Sequence, residues 1–227
     1  MKKKDEEDTS KRIKKSGPTK DAMEQVYAMK LWGRNSCNFY SGEGSHLPEI
    51  VSPYVEVVTG FLRSFEPPLV VCDLGCGDFN VGRQLIASSK KYIAIDIVTD
   101  LIAYNRSIFK AENLEFRCLD IAVDELPKAD CVLVRQVLQH LSNAEIKRIL
   151  SKLADFKYVV LTEHIPEGDF EPNVDIISGP GTRLIKKSGV QVLEAPSHFK
   201  VKEEKQVLAI PLETEKGVIV TTLYTVF

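Results

Sequence analysis

The run LVVCDLGCGDFNVG, Leu69 to Gly82, constrains this chain more than any other. A buried, β-branched strand runs straight into a glycine turn. Gly75 permits a tight reversal and Gly77 lets the backbone approach a ligand closely. In an open parallel sheet, ligands settle beyond the carboxyl ends of the strands where the strand order reverses. The turn holding Asp73, Gly75, Gly77 and Gly82 is therefore the first place to look for a site.

The residues downstream repeat the alternation that such a sheet needs. VGRQLIASS reads as helix, KYIAID as strand, LIAYNRSIF as helix and LEFRCLD as strand. CVLVRQVL opens as a fourth strand, NAEIKRILSKLADF is a helix behind a Ser142 or Asn143 cap, and KYVVLTEHI is a fifth strand. Strands separated by helices of this length indicate a mostly parallel sheet covered on both faces. Val207–Leu212 and Val218–Phe227 flank ETEKG and read as a hairpin, which makes the last strand antiparallel. Upstream, Ala22, Val26, Met29, Leu31 and Trp32 suggest a short amphipathic helix ended by Gly33. A second helix spans about Ile50 to Phe65 and stops at Pro67 and Pro68. The predicted organisation is a charged disordered tail over 1–19, a helical lid segment over 20–68 and the sheet domain over 69–227. PEGDFEPNVDIISGPGTRLIKKSGVQVLEAPSHF, between the fifth strand and the hairpin, lacks a strong period and reads as a substrate-facing loop.

At 227 residues the chain suits one sizeable α/β domain, and a net charge of −2 gives no overall positive field to draw it onto nucleic acid or an anionic membrane. No apolar run is long enough to cross a bilayer. The five cysteines (Cys37, Cys72, Cys76, Cys118 and Cys131) are odd in number and form no C-x-x-C pair. Free thiols in a reducing cytoplasm are expected, and the charged N-terminus reads as no secretory signal.

Two details of the glycine turn choose between cofactors. A dinucleotide fingerprint requires a third glycine at the position of Asn80. Asp73 stands two residues before Gly75, where a carboxylate repels a pyrophosphate but can anchor the amino group of an amino-acid tail. Asp96 ends the second strand, placed to accept hydrogen bonds from both ribose hydroxyls. Asp120 ends the third strand, placed to meet an adenine amino group. Each acid alone could be a helix cap or turn residue; acids at three successive strand ends favour S-adenosylmethionine over NAD.

At these residues the chain resembles the class I S-adenosylmethionine-dependent methyltransferases, over roughly Leu69 to Phe227. VVCDLGCGDFNVG matches the first motif, YIAID holds the ribose acid, CLDI the adenine acid, and VRQVLQHLS is the motif after the fourth strand. The resemblance implies a Rossmann-like, doubly wound sheet of seven strands with the last antiparallel. It implies cofactor contacts at Asp73, Gly75, Cys76, Gly77, Asn80, Asp96, Ile97, Asp120 and Ile121, with Arg135 and Gln136 at the methionine end and S-adenosyl-L-homocysteine as product. A narrower resemblance adds VYAMKLWG and YSGEGS. Together with CGDFN and VRQVLQHLS, these look like a poorly characterised, mostly bacterial group whose members often accompany surface-polysaccharide or natural-product enzymes. Gln136 replaces the acid that this group carries in the post-strand motif.

Methyl transfer is an in-line displacement in which alignment of the acceptor does much of the work, and hydroxyl acceptors often need a base. His140, Glu163 and His164 are the catalytic candidates, at the ends of the fourth and fifth strands. The competing readings are a structural histidine for His140 and a cap or salt bridge for the other two. Ubiquinone-pathway O-methyltransferases carry E-x-x-E-H at the positions of Gln136, Gln139 and His140. Both carboxylates are glutamines here, so no metal is expected. The Asn/Asp-Pro-Pro-aromatic motif of enzymes that methylate exocyclic base nitrogens is absent. Trp32 to Ser45 is expected to form a lid, with Trp32, Phe39 and Tyr40 closing over the cofactor; these aromatics could instead simply pack a helix on the sheet. Asp175, Arg183 and His198 are candidate acceptor contacts. The expected acceptor is a small molecule, a sugar or another hydroxylated metabolite. The alternatives are an RNA or protein methyltransferase docking through the lysine-rich tail, a binding module without turnover, and an NAD-dependent oxidoreductase.

Overall fold

Runs of valine, isoleucine and leucine at residues 70–74, 91–96, 131–135 and 158–166 bury nearly every side chain, which a strand can do only inside a sheet covered on both faces. The computed structural model describes residues 19–34, 39–212 and 217–227; the predicted disordered tail up to residue 18, Cys37 and the hairpin tip at 213–216 lie outside them. The strands are β1 (Val70–Leu74), β2 (Lys91–Asp96), β3 (Leu114–Cys118), β4 (Cys131–Arg135), β5 (Tyr158–Pro166), β6 (Glu203–Leu212) and β7 (Gly217–Thr225). They form one seven-stranded sheet in the order β3-β2-β1-β4-β5-β7-β6. β1 to β5 are parallel, and β7 runs antiparallel to both β5 and β6. This is the Rossmann-like α/β sheet with a reversed final strand expected from the sequence.

Alternation along each strand divides the core into two layers. Cys72, Leu74, Ile93, Ile95, Val132 and Val134 pack with Ile146, Ile149, Leu150 and Leu153 of helix α4 (Asn143–Leu153). Val71, Tyr92, Ala94 and Leu133 pack with Tyr54, Val58 and Leu62 of helix α2 (Pro48–Arg63) on the other face. Ser142 caps α4 in a full capping box with Glu145. Helix α1 (Thr19–Ala28) and helix α3 (Thr99–Ile108) meet in a smaller cluster of Met23, Val26, Tyr27, Val98 and Leu101.

Two local expectations are corrected. The first helix buries Met23, Val26 and Tyr27, whereas Met29 and Leu31, expected on its apolar face, are exposed beyond its end. VGRQLIASS is not an α-helix but two 3-10 turns, Gly82–Gln84 and Ile86–Ser88. Phe79 is fully buried against Gly82, where a Cβ would stand 2.5 Å from its ring, and the Ser89 hydroxyl donates to Ile86 O at 2.8 Å. Both contacts tighten the chain before it re-enters the sheet at Lys91, and local hydroxyl bonding competes with the helical ladder.

Candidate functional site

The strand order reverses between β1 and β4, and a cavity of about 660 Å³ opens at the carboxyl ends of the strands there. Its floor includes Asp73, Gly75, Cys76, Gly77, Asp96, Ile97, Asp120, Ile121, Arg135 and Gln136. The tertiary structure thus gathers these predicted cofactor residues into one wall. Gly75 (φ 75°) and Gly77 (φ 55°) are both left-handed, a conformation that favours glycine. A side chain at Gly75 would also strike Val137, 2.3 Å away.

The acids are held differently. Asp96 Oδ2 accepts from Gly77 N at 3.1 Å and Oδ1 from Val98 N at 3.0 Å, so the end of β2 fixes the glycine turn; burial raises its pKa against those two bonds. Asp73 accepts from the Tyr92 hydroxyl at 2.9 Å, and burial pushes its carboxyl up to about 7. Asp120 accepts from Ala122 N at 2.9 Å. Arg135 donates to Gly44 O and, at 3.4 Å, to Ser45 Oγ, and lies over the Tyr54 ring. Its Nε is buried with no hydrogen-bond partner among the described residues. Asn80 does not line the cavity; its side-chain amide donates to Ser45 O at 2.8 Å.

The described part of the segment expected as a lid lines the cavity through Trp32, Gly33, Arg34 and Tyr40–Ser45, on the side termed the roof. Phe39 is not in the cavity wall and packs instead between Tyr27 and Tyr104. What the sequence reading missed is the latch. Asp78 Oδ2 accepts from Ser41 N at 2.9 Å and pairs with His46 Nε2 at 2.6 Å, while Asp78 N donates to Ser41 Oγ at 2.8 Å. The signal was present: a charged residue between Gly77 and Phe79 needs a partner when buried.

The three catalytic candidates separate. His140 lines the cavity beside Trp32, with ring centroids 5.0 Å apart. Its Nδ1 lies 3.0 Å from Gly181 O, and a carbonyl can only accept, so the proton sits on Nδ1, while Nε2 accepts from the Gln139 side-chain amide at 3.3 Å. Burial lowers its pKa to about 4. His164 lines the cavity from the end of β5. Glu163 points the other way: it is buried outside the cavity wall and accepts from Leu138 N at 3.1 Å and Gln139 N at 2.9 Å. Arg183, 1% exposed, takes the opposite side of the same turn and donates to Leu138 O, Leu141 O and Asn143 Oδ1. Asp175 accepts from Asn143 N. Neither Arg183, Asp175 nor His198 lines the cavity; Pro180, Thr182 and Leu184 of the same irregular segment do. No group of three or more His, Cys, Asp or Glu gathers as for a metal among the described residues, and none of their helices is long and apolar enough to cross a membrane.

Burial lifts Glu163 to about 8, well above an unfolded glutamate near 4.5. Folding therefore favours its protonated form. That contribution is complete below the unfolded value and is lost as pH rises through the folded one. Thermal melts from about pH 5 to 8 should show stability falling, and Glu163→Gln should flatten the fall without abolishing it, because Asp73 titrates in the same window. An unchanged slope in the variant would remove Glu163 as its source.

Comparison with known proteins agrees with this geometry. Residues 71–156 match a family described as Methyltransferase domain. No curated protein matches the sequence. Among solved structures, the N-methyltransferase NodS of Bradyrhizobium japonicum WM9, in complex with S-adenosyl-L-homocysteine, superposes with a TM-score of 0.64 at 11% identity, covering 90% of this chain and 99% of that one. The magnesium protoporphyrin IX methyltransferase ChlM of Synechocystis PCC 6803, with bound S-adenosylmethionine, gives 0.56 at 17% identity, covering 92% and 97%. Residues 71–156 thus match a methyltransferase domain, and the sheet has the Rossmann-like fold of methyltransferases solved with S-adenosylmethionine or S-adenosyl-L-homocysteine.

Proposed function

We propose that this protein transfers a methyl group to a hydroxylated small molecule, with S-adenosylmethionine over β1, β2 and β3 and the acceptor beyond β4. The observation that carries the reading is a cavity of about 660 Å³ lined by acids at three successive strand ends. Small-molecule sites run to roughly 300–1,000 Å³, whereas a polymer needs an open groove. The donor set suits the cofactor. Asp96 keeps lone pairs beyond its two backbone bonds for ribose hydroxyls. The unpartnered Arg135 Nε suits a carboxylate at the amino-acid end. When bound, S-adenosylmethionine supplies a methyl group on a sulfonium and leaves as S-adenosyl-L-homocysteine.

The chain's own residues align and shield. A neutral His140, held by Gly181 O and the Gln139 amide, adds no positive charge near a sulfonium, and His164 stands beside it in the cavity wall. Glu163 acts at one remove, by fixing the turn that carries Gln139 and His140. WG, SGEGS, CGDFN and VRQVLQHLS support a place in the bacterial group noted above, and the free thiols at Cys72, Cys76, Cys118 and Cys131 support a cytoplasmic setting. Titration calorimetry tests the reading: S-adenosylmethionine and S-adenosyl-L-homocysteine should bind and NADH should not, followed by turnover on a panel of hydroxylated acceptors. Binding of NADH alone would overturn the cofactor assignment. Binding of S-adenosylmethionine with turnover only on RNA or protein would overturn the acceptor class.

A further inference from the structure

The cavity floor changes character along the sheet. Over β3, β2 and β1 stand Asp120, Asp96 and Asp73; over β5, β7 and β6 stand His164, Ile219 and Leu212. His164 and Ile219 are paired across β5 and β7, and Leu212 opposes Gly217 across β6 and β7. Adjacent strands lie about 4.8 Å apart, so the three steps from β4 to β6 extend the floor roughly 14 Å beyond Arg135. Thr182 and Leu184 wall this side, and Trp32 roofs it, tied by its Nε1 to Pro180 O at 3.1 Å.

The chemistry of this half is narrow. Leu184, Leu212, Ile219 and the Trp32 indole supply apolar surface, while His164 and the Thr182 hydroxyl are the polar lining, His140 being engaged at both nitrogens by Gly181 O and the Gln139 amide. The Glu145 carboxylate, also in the wall, is committed to Thr19, Ser142 and Ser178. Arg135 is engaged by the roof at Gly44 and Ser45, and the remaining roof charges, Arg34 and Glu43, are of opposite sign.

We propose that this half is the acceptor subsite and that it takes an uncharged molecule with a flat apolar body and a hydroxyl or amine on one edge. The proposal rests on reading the cavity as a methyltransferase site and narrows its acceptor. A flat ring fits beneath Trp32 with its apolar face on the aliphatic wall and its polar edge toward His164 and Thr182. A sugar would set several hydroxyls against Leu184, Leu212 and Ile219, which offer no hydrogen bonds. A phosphorylated acceptor would meet no cluster of free cations.

Saturation-transfer NMR on the full chain, saturated with S-adenosyl-L-homocysteine, tests this with three probes: 2-naphthol, 2-naphthyl phosphate and methyl glucoside. The expected result is binding of 2-naphthol, with the other two weaker by about tenfold or more. Leu184→Ser and Leu212→Ser, at half-buried positions that spare the core, should each weaken 2-naphthol by about tenfold while leaving the S-adenosyl-L-homocysteine affinity unchanged. Binding of the glucoside or the phosphate as tightly as 2-naphthol overturns the ligand class, as does binding of none of the three. Unaltered 2-naphthol affinity in both variants overturns the placement. Failure of the wild type to bind S-adenosyl-L-homocysteine strikes the methyltransferase reading instead, so the two failures are distinguishable.

Discussion

Asp96→Ala should weaken S-adenosylmethionine binding by about 2–3 kcal/mol, a factor of roughly 30–150 in Kd. The carboxylate does two things at once. It holds Gly77 N and Val98 N, which sets the glycine turn against the end of β2. It also presents remaining lone pairs to the cavity from a site only 8% exposed, where a charged acceptor is screened little by water. Alanine removes the ligand contact and loosens the turn. Calorimetry with S-adenosylmethionine, alongside circular dichroism to establish that the fold persists, measures the effect. An unchanged Kd would place the ribose away from β2.

Arg183→Met should lower stability by about 3–5 kcal/mol and the melting temperature by roughly 10 °C. The guanidinium is 1% exposed and donates to Leu138 O at 2.9 Å, Leu141 O at 2.7 Å and Asn143 Oδ1 at 2.7 Å. Methionine fills a comparable volume but leaves Leu141 O and Asn143 Oδ1 without the guanidinium and Leu138 O with only its bond from Leu141 N, and it takes a positive charge away from Glu163. The turn between β4 and α4 is then pinned on one side only, by the bonds from Leu138 N and Gln139 N to Glu163. Differential scanning calorimetry reads the loss. A shift of a degree or two would mean that water replaces the guanidinium there.

The catalytic candidates show how far residue type and position can be read from sequence. His140, Glu163 and His164 all fall where a fourth or fifth strand ends, so sequence marks them equally. Strand alternation then turns Glu163 under the turn and His164 into the cavity, and a single residue of register decides which. Arg183 sits in a segment with no period and reads from sequence as a candidate contact to the acceptor. Its burial follows from the carbonyls of Leu138 and Leu141, which only folding brings within its reach. Asp78 is similar: its neighbours in sequence are apolar or glycine, and its partners, Ser41 and His46, lie more than thirty residues upstream.

The sequence by itself determined the succession of strands, the helices α2, α3 and α4, the reversed last strand, the glycine turn, and the acids at the ends of β1, β2 and β3. All of these follow from local periodicity, backbone freedom and residue type within a few positions. Only the tertiary structure decided which charges face the cavity and which are consumed beneath it, how the roof is latched through Asp78, and that the wall over β5, β7 and β6 is aliphatic. Those depend on strand order and on contacts between segments far apart in the chain, and a linear pattern carries no record of which distant group will satisfy a buried charge.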